Sequence, residues 1–198
     1  MPFGVKPDTN AMDPLEMTSS AADKEETTMP DSVLLAYATS YGSTQEVADA
    51  VAAALRDQGL AVDVRPMREV ATLEGYSAAV LGAPLYMFRW HKDARRFLSR
   101  HGGALGKLAT AVFALGPFHE DEKEFREARE QLDKELARHP GFTPAAVAVF
   151  GGTFDPAKLR FPFALVPALK QMPANDIRDW SAIREWAAAL PEKLRPSS

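Results

Sequence analysis

The sequence predicts an α/β domain built on a doubly wound, five-stranded parallel sheet with helices on both faces. Three observations lead there. Short apolar runs alternate five times with segments of helical period. The runs are apolar at nearly every position, as in strands covered on both faces, rather than at every second one. The 198 residues leave room for one such domain and are short for two.

Val33-Leu34-Leu35-Ala36-Tyr37-Ala38 reads as the first strand and ends in a polar turn. From Thr44 to Arg56, Val47, Ala48, Val51, Ala52 and Leu55 recur at helical spacing, and Gly59 closes that helix. Ala61 to Arg65 is a short second strand, and a link containing Leu73 leads to the third, Ala78 to Ala83. His91 to Arg100 reads as a helix and Leu108 to Leu115 as the fourth strand. Asp121 to Arg138 is a long charged helix with Phe125, Ala128, Leu132 and Leu136 inward. Ala145 to Phe150 is the fifth strand, and Asp179 to Leu190 the last helix, carrying Trp180, Ile183 and Trp186. Between them, residues 151–177 interrupt the alternation as an insertion.

Composition narrows the function. Cysteine is absent, which removes disulfides, thiolate metal sites and cysteine nucleophiles, so any electron transfer must use a bound cofactor. No apolar run approaches the roughly 18 residues of a membrane span. The N-terminus lacks the basic and apolar regions of an export signal, so a cytoplasmic location is expected. Residues 1–31 hold seven carboxylates against Lys6 and Lys24 and no apolar period. They read as a disordered acidic tail. Of the net charge of −4, −5 lies in that tail, and the remainder, residues 32–195 being the folded domain, is nearly neutral at +1. No nucleic-acid partner and no metal are expected.

In such sheets ligands sit beyond the carboxyl ends of the strands. The first strand ends in Thr39-Ser40-Tyr41-Gly42-Ser43-Thr44 and runs into a helix. Hydroxyls, free N–H groups and the positive helix end favour a phosphate there. No lysine follows the glycine, and the repeated glycines of a dinucleotide loop are missing. The third strand continues into Pro84-Leu85-Tyr86, then Phe88, Arg89, Trp90 and His91, where Tyr86, Phe88 and Trp90 alternate as a stacking platform. The fourth ends in Leu115-Gly116-Pro117-Phe118-His119, where Gly116 permits close backbone approach. His91, Arg89 and His119 are read as surface charges before catalytic ones, and no indispensable acid or base stands out.

The first loop resembles that of the flavodoxin family, Thr/Ser-x-Thr-Gly-x-Thr, with Thr39, Gly42 and Thr44 matching and Tyr41 departing from the middle hydroxyl. The resemblance runs from residue 33 to about 190. It implies FMN, with its phosphate on residues 39–44. The ring would then be covered by Pro84, Leu85, Tyr86 and Trp90, and its pyrimidine edge would meet the backbone of Leu115, Gly116, Pro117 and Phe118. The insertion, Leu81-Gly82-Ala83-Pro84-Leu85-Tyr86 and Asp179-Trp180 resemble the menaquinone-dependent protoporphyrinogen oxidase branch. That likeness implies oxidation of a porphyrinogen with a quinone as acceptor. Phe161, Phe163, Leu165 and Leu169, flanked by Lys158, Arg160 and Lys170, either meet the inner face of a membrane or pack on the domain. The alternative is an electron-transfer flavodoxin without its own substrate, although the near-neutral charge removes the acidic steering such carriers use. A phosphoacceptor signalling domain is a poor match, because Thr39 and Ala83-Pro84 stand where it needs acids.

Overall fold

Ser32–Tyr37 forms β1, and Ser43–Asp57 forms α1. Ala61–Pro66 is β2, and Ala78–Tyr86 is β3. Arg89–Trp90 is a short β4, followed by α2 over Lys92–Leu105 and β5 over Ala109–Leu115. Glu122–Leu136 makes α3 and Ala146–Phe150 makes β6. Then come β7 (Thr153–Phe154), α4 (Pro167–Gln171), β8 (Asn175–Asp176), α5 (Trp180–Ala188) and α6 (Leu190–Lys193). This computed structural model describes residues 32–86, 89–158 and 165–195. The expectations for residues 1–31, Phe88, Arg160, Phe161 and Phe163, and for the Leu169 side chain, lie outside them.

The main sheet runs β2-β1-β3-β5-β6 and every neighbouring pair in that order is parallel. The predicted fold class is the observed one. Chain direction across the sheet reverses between β1 and β3, where their carboxyl ends open a crevice. Alternate residues of each strand feed two cores. Leu34, Ala36, Ala79, Leu81, Val112 and Ala114 pack with Phe97 and Leu98 of α2 and Leu132 of α3. Val33, Leu35, Val80, Ala111 and Phe113 pack with Val47, Val51 and Leu55 of α1 and Ile183 of α5. Burial on both faces explains the continuous apolar runs.

Three segments depart from the expectation. Pro84-Leu85-Tyr86 continue β3 instead of forming a loop, because Ala83 and Pro84 still pair with Ala114 and Leu115. The helix expected to end at Arg100 continues through Gly102 and Gly103 to Leu105. Leu98, His101 and Leu105 extend its buried stripe, and tertiary burial there outweighs the helix cost of the glycines, about 1 kcal/mol each. Within the insertion, β7 and β8 pair antiparallel, Thr153 with Asp176 and Phe154 with Asn175.

Candidate functional site

The link from β1 to α1 is the turn 39–44. Gly42 stands at the helix N-cap with a φ of 96°, a left-handed conformation that costs other residues roughly 1 kcal/mol or more. Thr39 Oγ1 accepts the Gly42 N–H at 2.9 Å and closes the turn from beneath. No side chain caps α1, and the N–H groups of Ser43 and Thr44 have no acceptor four residues back. Thr44 is fully buried and its Oγ1 has no partner among the described residues. Open N–H groups, an unpartnered hydroxyl and the positive end of a 15-residue helix form a donor set that fits a phosphate.

Beside this turn lies a cavity of about 670 Å³, within the range of small-molecule sites. Ser40, Tyr41, Ser43 and Glu46 line one side, and Leu85, Tyr86 and Phe118 the inner end. Thr153, Phe154, Asp155, Lys158, Ala174, Asn175, Asp176 and Arg178 form the far wall. Tyr41 and Tyr86 meet edge to face at 6.5 Å, as do Phe118 and Phe154 at 6.3 Å, so two aromatic pairs stand in its lining.

The far wall is fastened to the domain at two points. Arg178 donates to both oxygens of Asp176 at 2.8 and 2.6 Å and to Glu46 Oε2 at 2.6 Å, with its guanidinium 4.7 Å from the Trp180 ring. The hydrogen bond from Arg178 holds the Asp176 carboxyl below the usual carboxylate range. The Asn175 amide donates to the Phe118 carbonyl. Through these contacts β8 is tied to the loop after β5, and Arg178 just beyond it to the first turn of α1.

His91 joins two elements. Its Nδ1 accepts the Asp93 N–H at 3.2 Å, capping α2, and its Nε2 lies 3.2 Å from Ser40 Oγ. Burial raises the Tyr86 hydroxyl above the usual phenol value, opposed by a hydrogen bond with Ser40.

The structure brings Ser40, Tyr41, Ser43, Leu85, Tyr86 and Phe118 to the cavity, and Thr39, Gly42 and Thr44 build the turn beneath it. Trp90 is a correction. It is 1% exposed, donates through Nε1 to the Ala83 carbonyl and packs in the core with Phe97. Antiparallel pairing of β4 with β3 sets Trp90 opposite Leu85 and Arg89 opposite Tyr86, so Trp90 and Tyr86 take opposite faces. Pro84 is also buried, its carbonyl accepting the His91 N–H.

The loop after β5 is a second correction. Several of the backbone groups that the resemblance sets at a flavin edge are bonded inside the protein. The Gly116 N–H bonds Phe150 O at 3.2 Å and the Pro117 carbonyl accepts the Gly152 N–H at 2.7 Å. Glu124 accepts the N–H groups of Phe118 and His119 at 3.4 and 3.3 Å. Leu115 and Pro117 are buried. Phe118, 37% exposed, is the residue of this loop that reaches the cavity. His91 is buried rather than a surface charge, whereas His119 is exposed and pairs with Glu124 at 2.7 Å. Of the far wall, the sequence points to Lys158 alone, as a flank of the apolar segment; the polar pattern Asn175-Asp176-x-Arg178 before the last helix is the signal for the rest.

Burial lowers both His91 and His101 below the ordinary imidazole value of about 6.5. For His91 the Asp93 carboxylate, 3.9 Å away, opposes the shift, while Lys92 and Arg95 add to it. Below about pH 6.5 the unfolded chain therefore binds protons that the folded chain refuses, and folding stability falls with pH. The urea midpoint is expected to decline from pH 7.5 to 5.5, above the range where carboxylates titrate. A flat midpoint across that window would contradict the assignment.

A flavodoxin-domain family model matches residues 34–163. Protoporphyrinogen IX dehydrogenase [quinone] of Escherichia coli K12 is 25% identical over 84 residues, 41% of this chain. The match spans 46% of that relative, so the chain covers about half the length of the curated proteins it resembles. Among solved structures, oxidised flavodoxin 1 from Bacillus cereus superposes with a TM-score of 0.53 at 15% identity, covering 83% of this chain and 99% of that one. The Flv1 flavodiiron core from Synechocystis sp. PCC6803 gives 0.53 at 18% identity, over 86% of this chain and 37% of that one. At these identities the structural likenesses speak for the fold alone.

Proposed function

Because the chain belongs to the flavodoxin-domain family, we propose that it binds FMN, with the phosphate on residues 39–44, and acts as an FMN oxidoreductase on a porphyrinogen-type substrate with a quinone as acceptor. The observation that carries the cofactor is the cavity of about 670 Å³ opening directly beside the phosphate-type turn, where Thr44 Oγ1 lacks a partner. Bound FMN supplies the one- and two-electron chemistry that a chain without cysteine cannot provide through thiols.

The chain's own residues bind and enclose. The turn 39–44 offers hydrogen-bond donors, Tyr86 and Phe118 give aromatic surface, and Thr153 to Asp155 with Asn175 and Asp176 wall the far side. The insertion favours a substrate over simple relay, because a carrier has no need of a second wall around its ring. The name of the E. coli relative points to a porphyrinogen and a quinone. Exposed Leu165, Val166 and Met172 near α4, with Lys158 and Lys170, support contact with the membrane where quinones reside. No helix among the described residues is long and apolar enough to cross a membrane.

The test has two stages. Apo-protein titrated with FMN should quench flavin fluorescence; no quenching sinks the cofactor assignment. Anaerobic addition of a porphyrinogen should then bleach the flavin absorbance, and a quinone should restore it. Reduction only by a one-electron reductase partner would move the protein to the carrier class.

A further inference from the structure

The contacts of His91 commit one lone pair of the Ser40 hydroxyl. The Asp93 N–H donates to Nδ1 at 3.2 Å, so that nitrogen carries a lone pair. A side chain 7% exposed, whose protonation burial opposes, is neutral and keeps its one proton on Nε2. Nε2 lies 3.2 Å from Ser40 Oγ and therefore donates to it. Ser40 lines the cavity. With one lone pair facing the imidazole, its O–H points away from His91, on the side of Tyr86 and the cavity that Ser40 lines.

We propose that His91 is a positioning residue that turns the Ser40 hydroxyl so that it donates a hydrogen bond to an acceptor group of the ligand in this cavity. This rests on the flavin reading above, and the acceptor is an oxygen or nitrogen of the phosphate, the ribityl chain or the ring. The device joins two loops that are 51 residues apart in sequence, with the α2 cap setting the polarity at the β1 turn.

The experiment uses the full chain, with FMN and riboflavin as probes. In Ser40→Ala, flavin binding is expected to weaken about 3- to 10-fold, the scale of one hydrogen bond. His91→Asn keeps a good cap for α2 but shortens the arm to Ser40. It should preserve thermal stability and weaken flavin comparably, and Ser40→Ala/His91→Asn should be no worse than Ser40→Ala alone. Weakening of FMN alone identifies the phosphate as acceptor, and weakening of both flavins the ring or ribityl chain. Wild-type affinity in Ser40→Ala, or multiplicative losses in the double variant, overturns the proposal. Nitrogen NMR of the flavin-free protein decides the polarity independently: a proton on Nε2 of neutral His91 supports it, and a proton on Nδ1 overturns it. If neither flavin binds wild-type protein, the cofactor reading fails, and that spectrum still judges the His91–Ser40 polarity.

Discussion

Gly82→Ala is expected to destabilise the fold by about 3 kcal/mol, near the top of the usual cost of overpacking. Gly82 sits in β3 opposite Phe113 of β5, and the phenyl ring lies across it. A methyl group there would clash with the tip of that ring, meeting Cζ and Cε1 first, with even Cε2 only 2.7 Å away. The ring has nowhere to go. Phe113 is fully buried and is flanked by Phe150 at 6.1 Å and Trp186 at 6.0 Å, which also contact each other at 5.7 Å. Urea unfolding at pH 7.5 measures the loss. Adding Phe113→Leu should recover part of it, because the shorter side chain withdraws the atoms that clash. A loss below about 0.5 kcal/mol, the scatter of ordinary surface substitutions, would show that the sheet yields more easily than its packing indicates.

Thr44→Val is expected to act with opposite signs on the free and bound protein. Without ligand, the variant exchanges a buried hydroxyl that has no partner for a methyl group of nearly the same shape. Leaving a polar group unsatisfied costs about 1–3 kcal/mol, so the apo-protein should be as stable as wild type or more so. With FMN, the same hydroxyl is proposed to donate to a charged phosphate, a bond worth about 1.5–3 kcal/mol. Its loss should weaken FMN by roughly 10- to 100-fold. Riboflavin has no phosphate and should bind the variant within about 2-fold of wild type. The checks are a thermal melt of the apo-protein and parallel titrations of the two flavins. A lower melting temperature with equal losses for both ligands would make Thr44 a structural residue and remove it from the phosphate site.

Much of this molecule was readable along the chain, and the boundary between the readable and the rest has a physical basis. Strands buried on both faces must be apolar throughout, so runs such as Leu34 to Ala36 and Ala78 to Ala83 announce themselves. The phosphate-type turn is equally local: Gly42 supplies the left-handed φ, and Thr39 lies three residues before it, within reach of its N–H. Interactions across such short separations are written in adjacent residues.

Trp90 and the loop after β5 lie beyond that boundary. Whether an aromatic residue at position 90 meets a ligand or a core depends on its register with β3, and a one-residue change of register inverts the face. Whether the Gly116 and Pro117 backbone is open depends on Phe150 and Gly152, some 35 residues away. The far wall depends on Arg178 reaching Glu46 across 132 positions. From local pattern came the parallel sheet, its carboxyl edge and the glycine turn before α1, because period and turn chemistry act between neighbours. Only folding in three dimensions decided which aromatics face the cavity, which backbone groups are already bonded and what encloses the site, since each of these rests on partners that chain order does not bring together.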